Sequence, residues 1–351
     1  MASIVGTPPV RLRALFQDAG LRPHQARLAV HALATSTWRK GLSWPDALAR
    51  LGRQARAVAE AVMQAPPGVV VRQVAVAADG TRKLLVALPD GALVESVVIA
   101  ATDGDRTTLC VSSQVGCGRR CTFCETGRLG LVRNLESSEI AAQLLLARAH
   151  WEPVRGARPP IRNVVFMGMG EPLDNLDAVA DAVAVMTDPV AGGLSWRHVT
   201  VSTVGVAWKL PDFFAKVRAN LAVSLNAPDD DRRARWMPIN SRCDLASLKA
   251  ALQQHLPADR DVLVEYIVFD GHNDRDADAD LLIRWLGGLP ARLNLIVANP
   301  GPDRHLRTPT MDRVRALHQR LLAAGIRAMV RHPHGRDIGG ACGQLAASAT
   351  A

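Results

Sequence analysis

The stretch CVSSQVGCGRRCTFCETGRLGLVRN, Cys110 to Asn134, sets Cys117, Cys121 and Cys124 in the spacing C-x3-C-x2-C. Thiolates this close, on a loop containing glycine and arginine, can fold round one face of a [4Fe–4S] cube, since thiolates are the usual ligands of such clusters. Three ligands leave one iron without a protein partner. An open position separates a reactive metal centre from a closed structural one. A zinc site would want a fourth Cys or His close by, and the fifteen residues after Cys124 contain neither. Six cysteines in 351 residues are too sparse for a disulfide framework. Zinc and inert thiols stand as the plain alternatives.

The elements that must carry this loop can be read from composition and periodicity. A chain of 351 residues with 48% hydrophobic content suggests about two domains and an ample core. The formal charge of +9 points to a polyanionic partner, although a merely basic protein would show it too. No apolar run approaches the roughly 20 residues of a membrane span. The N-terminal MASIVGTPPVRLRALF lacks the apolar core of a signal peptide. Free thiols suit a reducing cytoplasm, the expected location.

Residues 1–66 read as a helical accessory unit. Two periodic segments, RPHQARLAVHALATS and WPDALARLGRQARAVAEAVMQ, are separated by a break at 40–43. Residues 67–106 read as an antiparallel β extension. Its hairpins are marked by Asp79-Gly80 and Asp90-Gly91, with both turn residues expected at positive φ. From Thr107 to Leu345, six strand-like runs alternate with helical segments, and a last strand follows at IRAMVRH. Such repeats imply right-handed crossovers and a parallel α/β sheet. Six units are too few for a closed eight-stranded barrel, so a partial (β/α)6 barrel with one open side is expected, followed by a tail at 346–351. Chemistry in such sheets gathers at the carboxyl ends of the strands, and the cysteine loop follows the first of them.

The triple-cysteine loop resembles that of radical S-adenosylmethionine (SAM) enzymes, in which the open iron binds the amino and carboxylate groups of SAM and its reduction yields an adenosyl radical. Other strand ends offer groups suited to that ligand. The run Gly168-Met169-Gly170-Glu171-Pro172 permits close backbone approach and supplies a carboxylate for an ammonium. Ser202-Thr203, Ser224-Leu225-Asn226 and Asn299 each end a strand with a hydroxyl or an amide. Individually, each also reads as a turn or capping residue.

The resemblance then narrows. CVSSQVGC at 110–117, Arg133-Asn134-Leu135, GMGEPL at 168–173, SLNAP at 224–228, MPIN at 237–240, NLIVANP at 294–300 and ACGQL at 341–345 together resemble the RlmN/Cfr family. These are radical SAM enzymes that methylate adenine in RNA. The resemblance covers about residues 20–345 and implies a partial barrel with a small N-terminal domain. It implies Cys117, Cys121 and Cys124 as cluster ligands, and Gly170, Glu171, Ser202, Ser224, Leu225, Asn226 and Asn299 as SAM contacts. Cys342 would carry the methyl group, Cys110 would resolve it through a disulfide, and Glu95 would accept the proton. This chain departs from the family at Glu125, where relatives have Ser, and at Asn226, where relatives have His.

The family's chemistry explains the extra thiols. An aromatic C–H carbon such as adenine C2 has no lone pair with which to attack a sulfonium methyl. Two SAM molecules are therefore used per turnover, with the methyl parked on a nucleophilic cysteine. The implied substrates are adenosine 2503 of 23S ribosomal RNA and adenosine 37 of transfer RNA, and the implied electron donor is a flavodoxin or ferredoxin. A monomer without membrane attachment is expected. Attack at C8, a barrel enzyme acting on a non-RNA substrate, and a basic RNA-binding protein with a structural metal remain the alternatives. Two basic groups, Arg119, Arg120, Arg128 and Arg133, and then Arg232, Arg233 and Arg235, are candidates for phosphate contact.

Overall fold

A computed structural model describes residues 2–100, 106–299, 301 and 303–346. The end of the β extension at 101–105 and the tail after Ala346 lie outside the described residues.

The N-terminal unit closes on itself through two short parallel segments, β1 (Ala2–Ser3) and β2 (Met63–Gln64). Between them lie helices α1 (Pro9–Asp18), α2 (Pro23–Ala34), α3 (Trp44–Leu48) and α4 (Arg53–Val62). Proline occupies the first turn of α1, α2 and α3, where the missing N–H costs no hydrogen bond. Two differences from the sequence reading appear here. Helix α1 was not anticipated, and the second periodic segment is two helices, because the chain turns at 49–51 and Gly52 is extended ahead of α4. The unit lies against the helices of the main body. Ile4, Val5 and Phe16 share one continuous apolar core with it. A Cβ on Gly6 would come within 2.4 Å of Ser138 N, so only glycine permits that approach.

Strands β3 (Val70–Val76), β4 (Arg82–Ala87) and β5 (Leu93–Ile99) form the expected antiparallel extension, and β5 pairs antiparallel with β6 (Thr107–Cys110). The turns differ from expectation. Only Gly80 (φ 86°) and Gly91 (φ 85°) have positive φ, while Asp79 and Asp90 use their carboxylates to accept the N–H of Thr81 (2.8 Å) and Ala92 (3.1 Å). Each is a longer turn closed by one left-handed glycine, in which aspartate braces the loop from its side chain.

After β6 the chain makes the small hairpin β7 (Gln114–Gly116) and β8 (Leu131–Asn134), with the short helix α5 (Glu125–Leu129) between. The regular repeat follows: α6 (Ser137–Trp151), β9 (Ile161–Phe166), α7 (Leu176–Thr187), β10 (Val199–Thr203), α8 (Leu210–Lys216), β11 (Asn220–Ser224), α9 (Asp230–Trp236), α10 (Leu245–His255), β12 (Val262–Val268), α11 (Asp276–Leu286), β13 (Ala291–Val297), α12 (Met311–Ala323) and β14 (Ala328–Arg331). Capping sets several helix starts: Asp244 accepts from Ser247 N (2.7 Å), and Glu139 reaches back to Glu136 N (2.9 Å).

The sheet has ten strands in the order β14-β13-β12-β11-β10-β9-β6-β5-β4-β3, so spatial order follows sequence order. The strands from β6 to β14 are all parallel, as right-handed β-α units require, and the antiparallel extension continues the same sheet. Among the described residues neither edge pairs with the other, which makes the barrel partial. Among the described residues, no helix is long and apolar enough to cross a membrane.

Candidate active site

A buried polar network sets the segment between β6 and the cysteines. The Gln143 side chain donates to Ser112 O (2.9 Å) and accepts from Ser112 N (2.8 Å) and Ser96 Oγ (2.7 Å). Ser112 Oγ donates to Glu95 O (2.6 Å) and accepts from Met169 N (2.9 Å). The loop after β9 is thereby clamped to the loop after β6, and its glycines follow from that closeness. A Cβ at Gly168 would lie 2.7 Å from Val111 O, and one at Gly170 would lie 2.6 Å from Gln114 Cβ.

These loops wall a cleft of about 140 Å³ at the carboxyl ends of the strands. Cys117, Cys121 and Cys124 all line it. Burial, with repulsion from neighbouring acidic groups and from Cys124, pushes the Cys117 thiol up to about 12. Cys121 rises for the same first reason and then through its two sister thiols. Backbone N–H groups face these sulfurs, that of Arg119 at Cys117 and those of Thr126 and Gly127 at Cys124. The donor set therefore fits a cluster. Mutually repelling buried thiols ionise only against a cationic centre, and N–H groups are in place to hold the thiolates. Among the described residues, no three His, Cys, Asp or Glu side chains converge on a point as ligands of a single ion would. Thiolates on separate irons of a cube need no such convergence.

Of the expected SAM contacts, Gly170, Glu171, Ser202, Ser224 and Asn226 line the cleft. Glu171 is buried, and its carboxylate accepts from Leu173 N (3.0 Å) and Val204 N (2.9 Å). Burial pushes this carboxyl up to about 7 against those bonds. Asn226 adopts φ 58°, a left-handed conformation that asparagine tolerates well, and its Oδ1 accepts from Ile267 N (3.1 Å). That local duty explains an asparagine here. The Leu225 side chain lies instead in the apolar core, and Asn299 lines a smaller cavity alongside, its Oδ1 buried without a partner among the described residues.

The two other cysteines that the resemblance singles out lie on β6 and on the C-terminal loop. Cys342 lines the cleft, and Cys110 and Cys342 are close enough that their charges repel, an effect second only to burial in raising the Cys110 thiol. The loop bearing Cys342 is held by Glu125 N donating to Gly343 O (2.8 Å) and Thr126 Oγ1 donating to Leu345 O (2.6 Å). All six cysteines are free thiols, so the disulfide implied by the family resemblance is not formed.

Glu95 is not part of the cleft lining. Its carboxylate pairs with Lys83 (2.9 Å) and accepts from Ala346 N (2.9 Å), at the foot of the Cys342 loop. A carboxylate that sequence reasoning missed does line the cleft. Glu265 accepts from Asn294 Nδ2 (3.0 Å), and burial pushes it up to about 7. Its mid-strand position in β12, in the apolar run VLVEYIV, was the available signal. The residue Cys342 is exposed overall, but enclosure of its thiol in the cleft and then the Glu265 charge push that thiol up. Glu265→Gln removes that anion, so the Cys342 thiol should ionise at lower pH. Iodoacetamide labelling of Cys342 against pH, read by peptide mass spectrometry, should show the midpoint move down. An unmoved midpoint would mean that the two groups do not face each other.

The arginine assignments need correction. Arg233 is fully buried, donating to Asn240 Oδ1 (2.8 Å) and Val204 O (2.6 Å), and cannot meet phosphate. Arg133 bridges Asp90 (2.7 Å) and Glu139 (2.8 Å), and Arg232 pairs with Asp278 (2.7 Å). Arg119 pairs with Asp174. Exposed arginines in these groups are Arg120, Arg128 and Arg235.

Comparison with known proteins agrees with this geometry. Residues 111–282 match the Radical SAM superfamily. A protein of Sorangium cellulosum named a probable RNA methyltransferase is 49% identical over 93% of this chain and 82% of its own length. The dual-specificity RNA methyltransferase RlmN of Marinobacter nauticus is 38% identical over 98% of this chain and 92% of its own. In structure, a radical SAM methyltransferase from Sphaerobacter thermophilus superposes with a TM-score of 0.87 at 34% identity, covering 99% of this chain and all of that one. With full-length relatives at this identity, a shared fold and a cysteine-lined cleft, this chain is an enzyme of the RlmN/Cfr family of radical S-adenosylmethionine methyltransferases.

Proposed function

We propose that this enzyme methylates C2 of adenine in RNA, at adenosine 2503 of 23S ribosomal RNA and also at adenosine 37 of transfer RNA. The observation that carries the reading is that Cys342 lines the same cleft as Cys117, Cys121 and Cys124, across more than 200 residues of chain, with Cys110 near enough for the two thiolates to repel. A [4Fe–4S] cluster bound by Cys117, Cys121 and Cys124, with one iron open, would supply the electron that cleaves SAM. Gly170, Glu171, Ser202, Ser224, Leu225, Asn226 and Asn299 are the proposed SAM contacts, Leu225 through its backbone.

Cys342, as thiolate, would take the methyl group of one SAM, with S-adenosylhomocysteine as the leaving group. A second SAM, when bound, would supply the radical that removes one hydrogen atom from the S-methyl group, whose carbon would then bond to adenine C2. Glu95, at the foot of the loop that carries Cys342, is the residue proposed to accept the ring proton. Cys110 would then attack Cys342 Sγ as its bond to carbon breaks, forming a disulfide; the freed carbon takes a proton to become the methyl group, one electron would return to the cluster, and an external thiol reductant restores both thiols. A flavodoxin or ferredoxin is the proposed electron donor, and the enzyme is proposed to work as a cytoplasmic monomer, with residues 1–66 as the accessory unit, 67–106 as the extension and 107–345 as the barrel.

The test is the identity of the modified base. Protein-free ribosomal and transfer RNA exposed to the reconstituted enzyme should yield 2-methyladenosine on nuclease digestion and mass spectrometry. Finding 8-methyladenosine would transfer the assignment to C8. SAM cleavage with no RNA methylation would point to another substrate.

A further inference from the structure

Trp208 is the only exposed aromatic side chain among the described residues, at 42%. It follows β10 by a few residues, just beyond Val204, which lines the cleft. The Arg242 guanidinium lies 4.6 Å from the ring centroid. That of Arg119, in the cysteine loop and anchored by Asp174, lies 5.8 Å away. An indole held at the surface loses the gain of burial, and an exposed cation–π pair returns only about 0.5–1 kcal/mol. Folding alone gives little reason for this arrangement.

A flat ring framed by guanidinium groups, one of them from the cysteine loop, is instead suited to a nucleobase. Base–aromatic stacking tolerates any base, and arginine adds its own planar face and a charge for the adjoining phosphate. The chain's net charge of +9 favours the same polyanion. Only 4% of residues are Phe, Trp or Tyr, so few other platforms exist. We propose that Trp208, with Arg242, is a stacking platform for an unpaired RNA base next to the one that enters the cleft. This rests on the reading that the substrate is RNA. The energetic logic is that a target base pulled from its stack leaves a neighbour exposed, and Trp208 gives that neighbour a new surface.

The experiment compares wild type, Trp208→Ala, Trp208→Phe and Arg242→Gln as reconstituted full-length proteins. Binding is measured to a stem-loop RNA oligonucleotide with an adenine in its single-stranded loop. Trp208→Ala should weaken binding by about 5- to 100-fold, while Trp208→Phe retains most of it. Arg242→Gln should reduce the slope of log K against log salt by about one. Iron content and SAM cleavage without RNA should not change in any variant. Equal RNA affinity for wild type and Trp208→Ala would overturn the platform while leaving the RNA reading intact; wild type that binds no RNA would overturn both. Unchanged RNA binding with slowed reduction by a flavodoxin would assign the patch to a protein and overturn the proposal. Should Trp208→Ala melt at a lower temperature, the Phe and Arg242 variants decide: Phe behaving as wild type and Gln losing the salt slope support it, and no change in slope refutes it.

Discussion

Cys110→Ala protein should accumulate as a covalent conjugate with RNA, stoichiometric with enzyme, while Cys342→Ala forms no conjugate and transfers no methyl group. The difference follows from the proposed roles of the two thiols. Without Cys110, the carbon between Cys342 Sγ and the base has no thiolate to release it. Without Cys342, nothing carries the methyl. Both substitutions should leave iron content near wild type, because Cys110 is a strand residue and Cys342 lies on the C-terminal loop, outside the cluster triad. Denaturing gels of enzyme with labelled RNA, iron analysis and methyl quantification separate the outcomes. Clean product release from Cys110→Ala would remove its resolving role. Iron loss from Cys342→Ala would mean that the sulfurs are divided differently.

Gly170→Ala should abolish SAM binding and destabilise the protein. Gly170 has φ 104°, which an L side chain rarely adopts, and its new Cβ would lie 2.6 Å from Gln114 Cβ and 2.8 Å from Gln114 N. Gln114 cannot retreat. Its Nε2 donates to Asn134 Oδ1 (2.7 Å) and its Oε1 accepts from Glu171 N (2.8 Å). Backbone strain and overpacking each cost about 1–3 kcal/mol, and relief of either moves Glu171, whose carboxylate holds the loop after β10 through Val204 N. A fall in Tm of roughly 3–8 °C is expected, with loss of SAM binding by equilibrium dialysis. A variant that melts and binds as wild type would show that the close approach at Gly170 is not needed.

Much of the architecture was legible because it is written in local periodicity. The alternation of β-like and helical runs, the Asp-Gly turns and the spacing of Cys117, Cys121 and Cys124 each involve residues close in sequence. The turn geometry was not, since Asp-Gly is compatible with more than one turn and the braces at Thr81 and Ala92 depend on how each loop closes. Glu265 escaped notice because a single carboxylate in an apolar strand looks the same whether it faces solvent or a cleft. The arginines misled for a related reason. Composition counts charges, and only packing shows that Arg233 is buried and that Arg133 and Arg232 are held by carboxylates.

The parallel β-α order, the hairpin extension and the three-thiol loop at a strand end were legible in the order of residues, because short-range patterns select secondary structure and handed crossovers leave few topologies. Only the packing of distant segments shows that Cys342 lines the cleft with the cysteine loop, that Glu95 holds the loop carrying Cys342, and that Glu265 lines the cleft. Those contacts join residues far apart in the chain, and they depend on strand register and loop closure, which no local pattern encodes.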